Sequence, residues 1–222
     1  MIPDPPYAPT DRRPLKSRGT AWAKWASHGL ASAGVSPNAI SVFGMVAAGC
    51  AGCTFAATSH WTGVPQRLAW LLGAILCQVR LLCNLFDGMV AIERKIASPT
   101  GELYNEVPDR VSDSAIFIGL GYAAGGGVTF GYLAALVAVF VAYVRMTAAN
   151  VGAPNDFCGP LAKPQRMALV TMLGVYMTFA PGTWHGLTGE ARAVLLVVIA
   201  GGLITAIRRL WRAAVFLGGQ TQ

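Results

Sequence analysis

The feature that most constrains this chain is a run of 31 residues, between Asp113 and Arg145, that contains no Asp, Glu, Lys or Arg. One membrane-spanning helix needs about 20 apolar residues, so the run is too long for a single simple span. Three consecutive glycines, at 125–127, interrupt it. The pattern therefore predicts one helix that ends near Ala124 and another over about 128–146.

Similar apolar segments predict four further helices, over about 39–58, 68–91, 167–180 and 191–210. Hydrophobic residues make up 54% of the chain and charged residues 12%, whereas a soluble domain carries about a quarter charged residues. We therefore predict an all-α membrane protein whose six transmembrane helices occupy residues 34–212. The polar, proline-rich residues 1–17 predict a flexible leader, and residues 213–222 a short tail.

Residues 18–33 predict a helix that precedes the spans. They place Trp22, Lys24 and Trp25 among alanines, a mixture typical of an amphipathic helix lying in the membrane interface. An ordinary cytosolic helix that caps the bundle is the alternative.

The distribution of Lys and Arg predicts the orientation of the chain. With six spans, one side of the membrane holds 13 of these residues and the other only Arg67 and Arg192. Because cytoplasmic loops carry the excess of Lys and Arg, both termini are expected in the cytoplasm. The net charge of +7 is then explained by an anionic membrane surface rather than by nucleic acid. The basic side comprises Arg12, Arg13, Lys16, Arg18, Lys24, Arg94, Lys95, Arg145, Lys163, Arg166, Arg208, Arg209 and Arg212.

Acidic residues concentrate where the second and third predicted spans meet. Six of the ten in the chain lie there: Asp87, Glu93, Glu102, Glu106, Asp109 and Asp113. A carboxylate at the centre of a bilayer costs about 2.5–3.5 kcal/mol on insertion scales. The group therefore requires compensating cations, protonation or an aqueous cavity.

The spacing of these residues predicts two polar helix faces that converge, because a short connection makes the second and third spans direct, antiparallel neighbours. Asn84, Asp87, Gly88 and Ala91 share one face of the second span, and Asn105, Asp109 and Asp113 share one face of the third. Oxygen ligands without a nearby His favour a hard cation such as Mg²⁺, Mn²⁺ or Ca²⁺. An internal network in which Arg80 and Arg110 neutralise Asp87, Asp109 and Asp113 is the alternative.

The same segment resembles the motif of the CDP-alcohol phosphotransferases, Asp-x2-Asp-Gly-x2-Ala-Arg-x8-Gly-x3-Asp-x3-Asp. Asp87 and Asp109 stand at the second and fourth Asp positions, whereas Asn84 and Asn105 stand at the first and third. Gly88, Ala91 and Gly101 match the motif, and Ile92 replaces its Arg. Upstream, Pro37-Asn-Ala-Ile-Ser41 resembles the start of the family's first span.

The resemblance implies transfer of a substituted phosphate, such as a phosphatidyl group, from a CDP-alcohol to an acceptor hydroxyl with release of CMP. A donor of the CDP-diacylglycerol type and a small or phosphorylated alcohol acceptor are the implied partners. The implied Mg²⁺ or Mn²⁺ ligands are Asn84, Asp87, Asn105 and Asp109, with Asp113 as a replacement carboxylate by helical register. Asp109 is also the implied base, and the implied nucleotide contacts are Gly88, Ala91 and Gly101. Nearby cations predict the phosphate and acceptor contacts: Arg94, Arg145, Lys163 and Arg166.

Several alternatives remain open in the sequence. Because Asn contributes an oxygen without charge, either one metal ion suffices or Glu102, Glu106 or Asp113 supplies charge. The chain could instead be a catalytically degenerate subunit that binds a CDP-lipid or a partner, or a transporter that uses the cluster as a cation relay. Small residues at helix-packing spacing, such as Ala48 with Gly52 and Gly121 with Gly125, serve packing within the chain or in a homodimer.

Overall fold

The computed structural model describes residues 16–94, 101–180 and 189–219. Within these ranges the regular structure is entirely helical, with a short 3₁₀ helix at Lys16–Gly19 followed by seven α-helices. The α-helices are α1 (Ala21–Ser32), α2 (Pro37–Ala57), α3 (Gly63–Glu93), α4 (Gly101–Tyr122), α5 (Val128–Asn150), α6 (Lys163–Phe179) and α7 (Glu190–Gly219). The all-α prediction is confirmed, while residues 1–15 of the predicted leader lie outside the described ranges.

Each predicted span has a helix, and the glycine run divides α4 from α5 as expected. Gly125 there has φ of +71°, a conformation that glycine adopts without a steric penalty. Several helix ends, however, differ from the predicted ones. α3 begins before Leu68, α6 begins at Lys163, and α7 continues to Gly219, into the predicted tail.

Four helices in the described part of the chain, α2, α3, α5 and α7, are long and apolar enough to cross a membrane. The protein is therefore a membrane protein with several apolar helices. α4 carries several charged residues in its first half, and α6 has only 17 residues. A count of six spans stays a prediction.

α2 packs against both α3 and α4, while α3 also packs on α6, α4 on α5, and α5 on α7. This differs from the expectation that the second and third spans are direct neighbours, because the backbones of α3 and α4 contact each other little. The reason is a close approach between α2 and α4. A Cβ added to Gly119 would lie 2.2 Å from the carbonyl oxygen of Gly52.

Arginine side chains join neighbouring segments at both ends of the bundle. Arg94 donates to the carbonyl oxygens of Gly34 and Val35, which joins the end of α3 to the start of α2. At the opposite end, Arg67 donates to Ala180 and Arg192 to Gly126. We call the end that holds the α3 C-terminus and the starts of α4 and α6 the motif end.

α1 lies against α3 at the motif end. The rings of Trp22 and Phe86 meet edge to face at 6.0 Å, and Ser27 donates to the Glu93 carboxylate. Trp25 points away from the bundle and is 80% exposed. The exposed Trp is compatible with an interfacial helix, which stays a prediction.

Candidate active site

Asp87 is held by neutral donors. Its Oδ2 accepts a hydrogen bond of 2.7 Å from the Ser41 hydroxyl of α2, and its Oδ1 accepts one of 2.5 Å from the backbone N–H of Gly88. Ser41 is oriented by the start of α2, where the Ser36 side chain caps the helix by accepting from Ala39 N–H. The Asp87 carboxylate is therefore buried and fixed without a cation among these two partners.

Asp109 is held by cations. Its Oδ1 accepts from the guanidinium of Arg80, from the amide Nδ2 of Asn84 at 3.0 Å, and from the ammonium of Lys163 at 2.7 Å. Arg80 and Asn84 are four residues apart on α3 and so lie on one face. This face meets Asp109 of α4, although the two backbones make little contact.

Lys163 joins two positions of the motif. Its Nζ lies 2.9 Å from Asn84 Oδ1 and 2.7 Å from Asp109 Oδ1, and 3.9 Å from Asp113 Oδ1. Lys163 is the first residue of α6, so the side chain reaches inward from the end of a helix. We call Arg80, Asn84, Asp109, Asp113, Lys163 and Arg166 the Lys163 cluster.

The deepest part of the Lys163 cluster is a buried ion pair. Arg166 Nη2 lies 3.0 Å from Asp113 Oδ2, and both side chains are 2% exposed. Arg80 Nε donates to the Ser112 hydroxyl at 2.7 Å beside them. Among the described residues, Arg80 Nη1, Arg166 Nε and Nη1, and Asp113 Oδ1 find no hydrogen-bond partner. Such buried groups are rare in native structures, which points to water or a bound group in the cluster.

A second group of charges lies apart from the first. Glu106 accepts from Arg110, four residues along α4, and from Arg145 of α5 at 2.7 Å. The guanidinium of Arg145 also lies 5.1 Å from the centroid of the Phe157 ring. The predicted phosphate contact Arg145 is thus tied to Glu106.

The predicted site residues divide into those that the structure brings together and those that it does not. Asn84, Asp109, Asp113, Lys163 and Arg166 form one network. Asp87, Gly88 and Ala91 continue the α3 face by one to two turns. Arg94 does not join them, because its guanidinium binds the α1–α2 connection. The backbones of Gly101 and Asn105 lie in α4, and the Asn105 side chain lies outside the described part of the structure.

The predicted ion-pair alternative is partly correct. Arg80 binds Asp109, as that interpretation expects, but Arg110 binds Glu106, and the partner of Asp113 is Arg166. Ser41 was not predicted as a site residue. Its position in the Pro-Asn-Ala-Ile-Ser segment was the available signal, but a contact 46 residues away along the chain cannot be read from that segment alone.

The donor set of this site does not fit a pair of divalent ions. No group of three or more His, Cys, Asp or Glu side chains among the described residues is placed to hold a metal ion. Lys163 already occupies Asn84 Oδ1 and Asp109 Oδ1. One ion does fit the chemistry at Asp87, since Mg²⁺ is commonly bound by one or two carboxylates together with substrate phosphates.

Comparison with known proteins identifies the family of this chain. The family model described as CDP-alcohol phosphatidyltransferase matches residues 34–216. The chain is 26% identical over 189 residues to the phosphatidylinositol phosphate synthase of Mycobacteroides abscessus, which covers 82% of this chain and 78% of that one.

Two crystal structures of phosphatidylinositol phosphate synthase from Mycobacterium tuberculosis are similar in fold. The structure with CDP-DAG bound has a TM-score of 0.69 at 19% identity and covers 87% of this chain and 94% of its own. The structure with manganese and citrate has a TM-score of 0.68 at 19% identity, with coverage of 86% and 88%. Because the family model spans the chain from Gly34 to Phe216, the protein belongs to the CDP-alcohol phosphatidyltransferase family, membrane transferases of phospholipid biosynthesis.

Proposed function

We propose that this protein transfers a phosphatidyl group from a CDP-alcohol of the CDP-diacylglycerol type to the hydroxyl of an acceptor alcohol and releases CMP. The observation that carries the proposal is the meeting of the two motif helices at one end of the bundle, where Asp109 of α4 binds Arg80 and Asn84 of α3. Asp87 lies three residues further along the same helix. The crystal structure of a relative with CDP-DAG bound supports the choice of donor.

The proposed step breaks one phosphoanhydride bond and forms one phosphate ester bond. The acceptor oxygen attacks the phosphorus distal to cytidine, its proton passes to the Asp109 carboxylate, and CMP leaves with the electrons of the broken P–O bond. All three contacts of Asp109 described above are made to Oδ1. Its Oδ2, without a hydrogen bond to any described residue, is the oxygen that we assign to the acceptor proton.

The remaining motif residues position the donor. Asp87 would hold one Mg²⁺ or Mn²⁺, which supplies positive charge against the diphosphate when it is bound. Gly88, Ala91 and Gly101 would lie along the cytidine, where small residues leave room for a flat base. Asn105 would offer an uncharged oxygen beside them, whereas the oxygen of Asn84 accepts from Lys163.

The cations near the motif end would bind a phosphorylated acceptor. Lys163 and Arg166 lie in the Lys163 cluster, and Arg145 lines a cleft beside α7 together with Arg209 and Arg212. Arg94 is the weakest of the predicted contacts, because its hydrogen bonds are made to the α1–α2 connection.

The proposal includes six spans and a cytoplasmic motif end, with both termini on that side. The distribution of basic residues between the two ends of the bundle supports it. Cys158 is exposed at the motif end, and Ser59 is exposed in the α2–α3 connection at the other. In intact cells, an impermeant maleimide should label Ser59→Cys and leave Cys158 unlabelled. Labelling of Cys158 would place the motif end outside.

A catalytically degenerate subunit is the second candidate function. Asn84 and the cations that already offset the charge of Asp109 favour it. Transport is less favoured, since each of the four candidate spans is one continuous helix rather than a broken pair.

The deciding experiment measures release of labelled CMP from CDP-diacylglycerol by membranes that contain the protein, with and without Mg²⁺. Glycerol phosphate, inositol phosphate, inositol and serine are offered as acceptors. Asp87→Asn and Asp109→Asn should each lower release at least a hundredfold, while Glu190→Gln, a carboxylate at the opposite end of the bundle, should leave it unchanged. Nucleotide binding without CMP release for every acceptor would favour the degenerate subunit.

A further inference from the structure

We propose that Lys163 and Arg80 take the place of one divalent cation, so that this site binds no more than one metal ion per chain. The inference deepens the proposed function and rests on it for the identity of the nucleotide ligand. It concerns the number of ions that the chain can hold, a property that can be counted without turnover.

The position of the Lys163 ammonium carries the first part of the argument. Its Nζ is 2.9 Å from Asn84 Oδ1 and 2.7 Å from Asp109 Oδ1. These oxygens stand at the first and fourth carboxylate positions of the motif. A positive group fixed to α6 thus occupies ligand atoms that a second ion would need, and a metal ion could bind them only by displacing it.

Arg80 is a second cation that keeps a second metal ion away from Asp109. Its guanidinium binds the same Asp109 oxygen and is anchored by a bond from Nε to Ser112 Oγ at 2.7 Å. The side chain is 2% exposed and lies across Gly44 of α2, where an added Cβ would be 3.4 Å from Arg80 Nη1. Arg80 is therefore built into the packing of three helices and cannot easily swing away.

The balance of charges in the site also favours no more than one metal ion. The Lys163 cluster sets three cations, Arg80, Lys163 and Arg166, against the two carboxylates Asp109 and Asp113. With Asp87 counted as the third carboxylate, the charges of the site already balance before any metal ion binds. Two divalent ions would add four positive charges to a largely buried site, and burying uncompensated charge is costly. One divalent ion adds two positive charges, which the diphosphate of a CDP-alcohol can offset.

Of the three carboxylates of α4 that the sequence offered for the missing charge, Glu102 has a side chain outside the described part of the structure. The two described ones, Asp113 and Glu106, do not restore a second site. Asp113 is 2% exposed and bound to Arg166, and Glu106 is bound to both Arg110 and Arg145. Both were candidates from the sequence for the missing charge. Each is already matched to a guanidinium, so neither is free to serve an additional ion.

The test counts Mn²⁺ bound to the purified full chain with CDP present, from the loss of the free Mn²⁺ signal in electron paramagnetic resonance. The wild-type chain should bind no more than one ion, and Asn84→Asp with Asn105→Asp should not raise the count. Adding Lys163→Met to that pair should raise the count by one. Adding Lys24→Met, a lysine of α1 outside the cluster, should not.

Two tight Mn²⁺ ions on the wild-type chain would overturn the proposal, as would an unchanged count when Lys163 is removed from the restored carboxylates. Lys163→Gln, which keeps hydrogen-bonding capacity without the charge, replaces Lys163→Met if the latter does not fold. Absence of CMP release with no more than one ion bound would refute the proposed function and leave this inference standing.

Discussion

The buried pair between Asp113 and Arg166 allows a quantitative prediction. Replacing Arg166 by Met removes the guanidinium and leaves a carboxylate that is 2% exposed. Breaking a buried pair by removing one partner typically costs about 3–5 kcal/mol. Lys163 lies 3.9 Å from Asp113 Oδ1 and offsets part of the lost charge. We therefore expect about 3 kcal/mol for Arg166→Met, at the lower end of that range.

The double replacement should behave differently. Arg166 Nε and Nη1 find no hydrogen-bond partner among the described residues, so the pair is incompletely satisfied. Well-packed apolar residues in place of such a pair are often neutral or stabilising. Asp113→Leu with Arg166→Met should therefore lie within about 1 kcal/mol of the wild-type chain, which makes the coupling between the two positions large.

The assay is thermal unfolding of the purified protein in detergent, followed by circular dichroism. A loss of 3 kcal/mol corresponds to a fall in Tm of about 6–12 °C for a chain of this size. Arg212→Met is the matched control, because Arg212 pairs with Asp156 at 3.0 Å but is 47% exposed, and exposed pairs contribute about 0–1 kcal/mol. An Arg166→Met variant as stable as Arg212→Met, or a double variant no better than Arg166→Met, would refute the reasoning.

Three further predictions concern the packing and the site. Gly119→Ala should lower the free energy of unfolding by about 1–3 kcal/mol, because its Cβ would meet the Gly52 backbone. Gly49→Ala, at a position of α2 where an added Cβ would meet nothing within 4 Å, should not, and thermal unfolding compares the two variants. Ser41→Ala removes the donor to Asp87. Since a hydrogen bond to a charged group contributes about 1.5–3 kcal/mol, CMP release should fall roughly tenfold or more. Ser59→Ala, the control, should leave CMP release unchanged. Arg94→Met should increase deuterium exchange over residues 33–36 and change KM for CDP-diacylglycerol less than about twofold; a large rise in KM would return Arg94 to the phosphate site.

The helices were predictable because the bilayer imposes a simple rule on composition. Uncharged runs near the length of a span must become helices, and the glycines at 125–127 mark the only practical break in the longest run. The ends were less predictable. α7 passes beyond Leu210 because residues 211–219 form further helical turns rather than a loop, and composition alone does not distinguish a short helical extension from a tail.

Which helices pack against each other was harder to predict than where the helices lie in the sequence. The order of packing depends on where two backbones can approach, and the close contact of Gly52 with Gly119 joins α2 to α4 across 67 positions of the chain. Many glycines in the sequence have the same local appearance. The insertion of Lys163 beside Asn84, 79 positions away, depends on that packing, so the sequence could place Lys163 on the correct side but not in the motif.

The two motif carboxylates retained at Asp87 and Asp109 have different surroundings, and the difference bears on their roles. Asp87 is bound by a hydroxyl and a backbone N–H, so its negative charge remains available to a cation. Asp109 is bound by Arg80 and Lys163, which already offset its charge. If the two environments were exchanged, cationic side chains would lie beside Asp87, the carboxylate proposed to bind a metal ion, and would repel that ion. The Asn at position 84 is consistent with this division, since an amide can donate to Asp109 and accept from Lys163 at the same time, whereas an ionised carboxylate there could only accept.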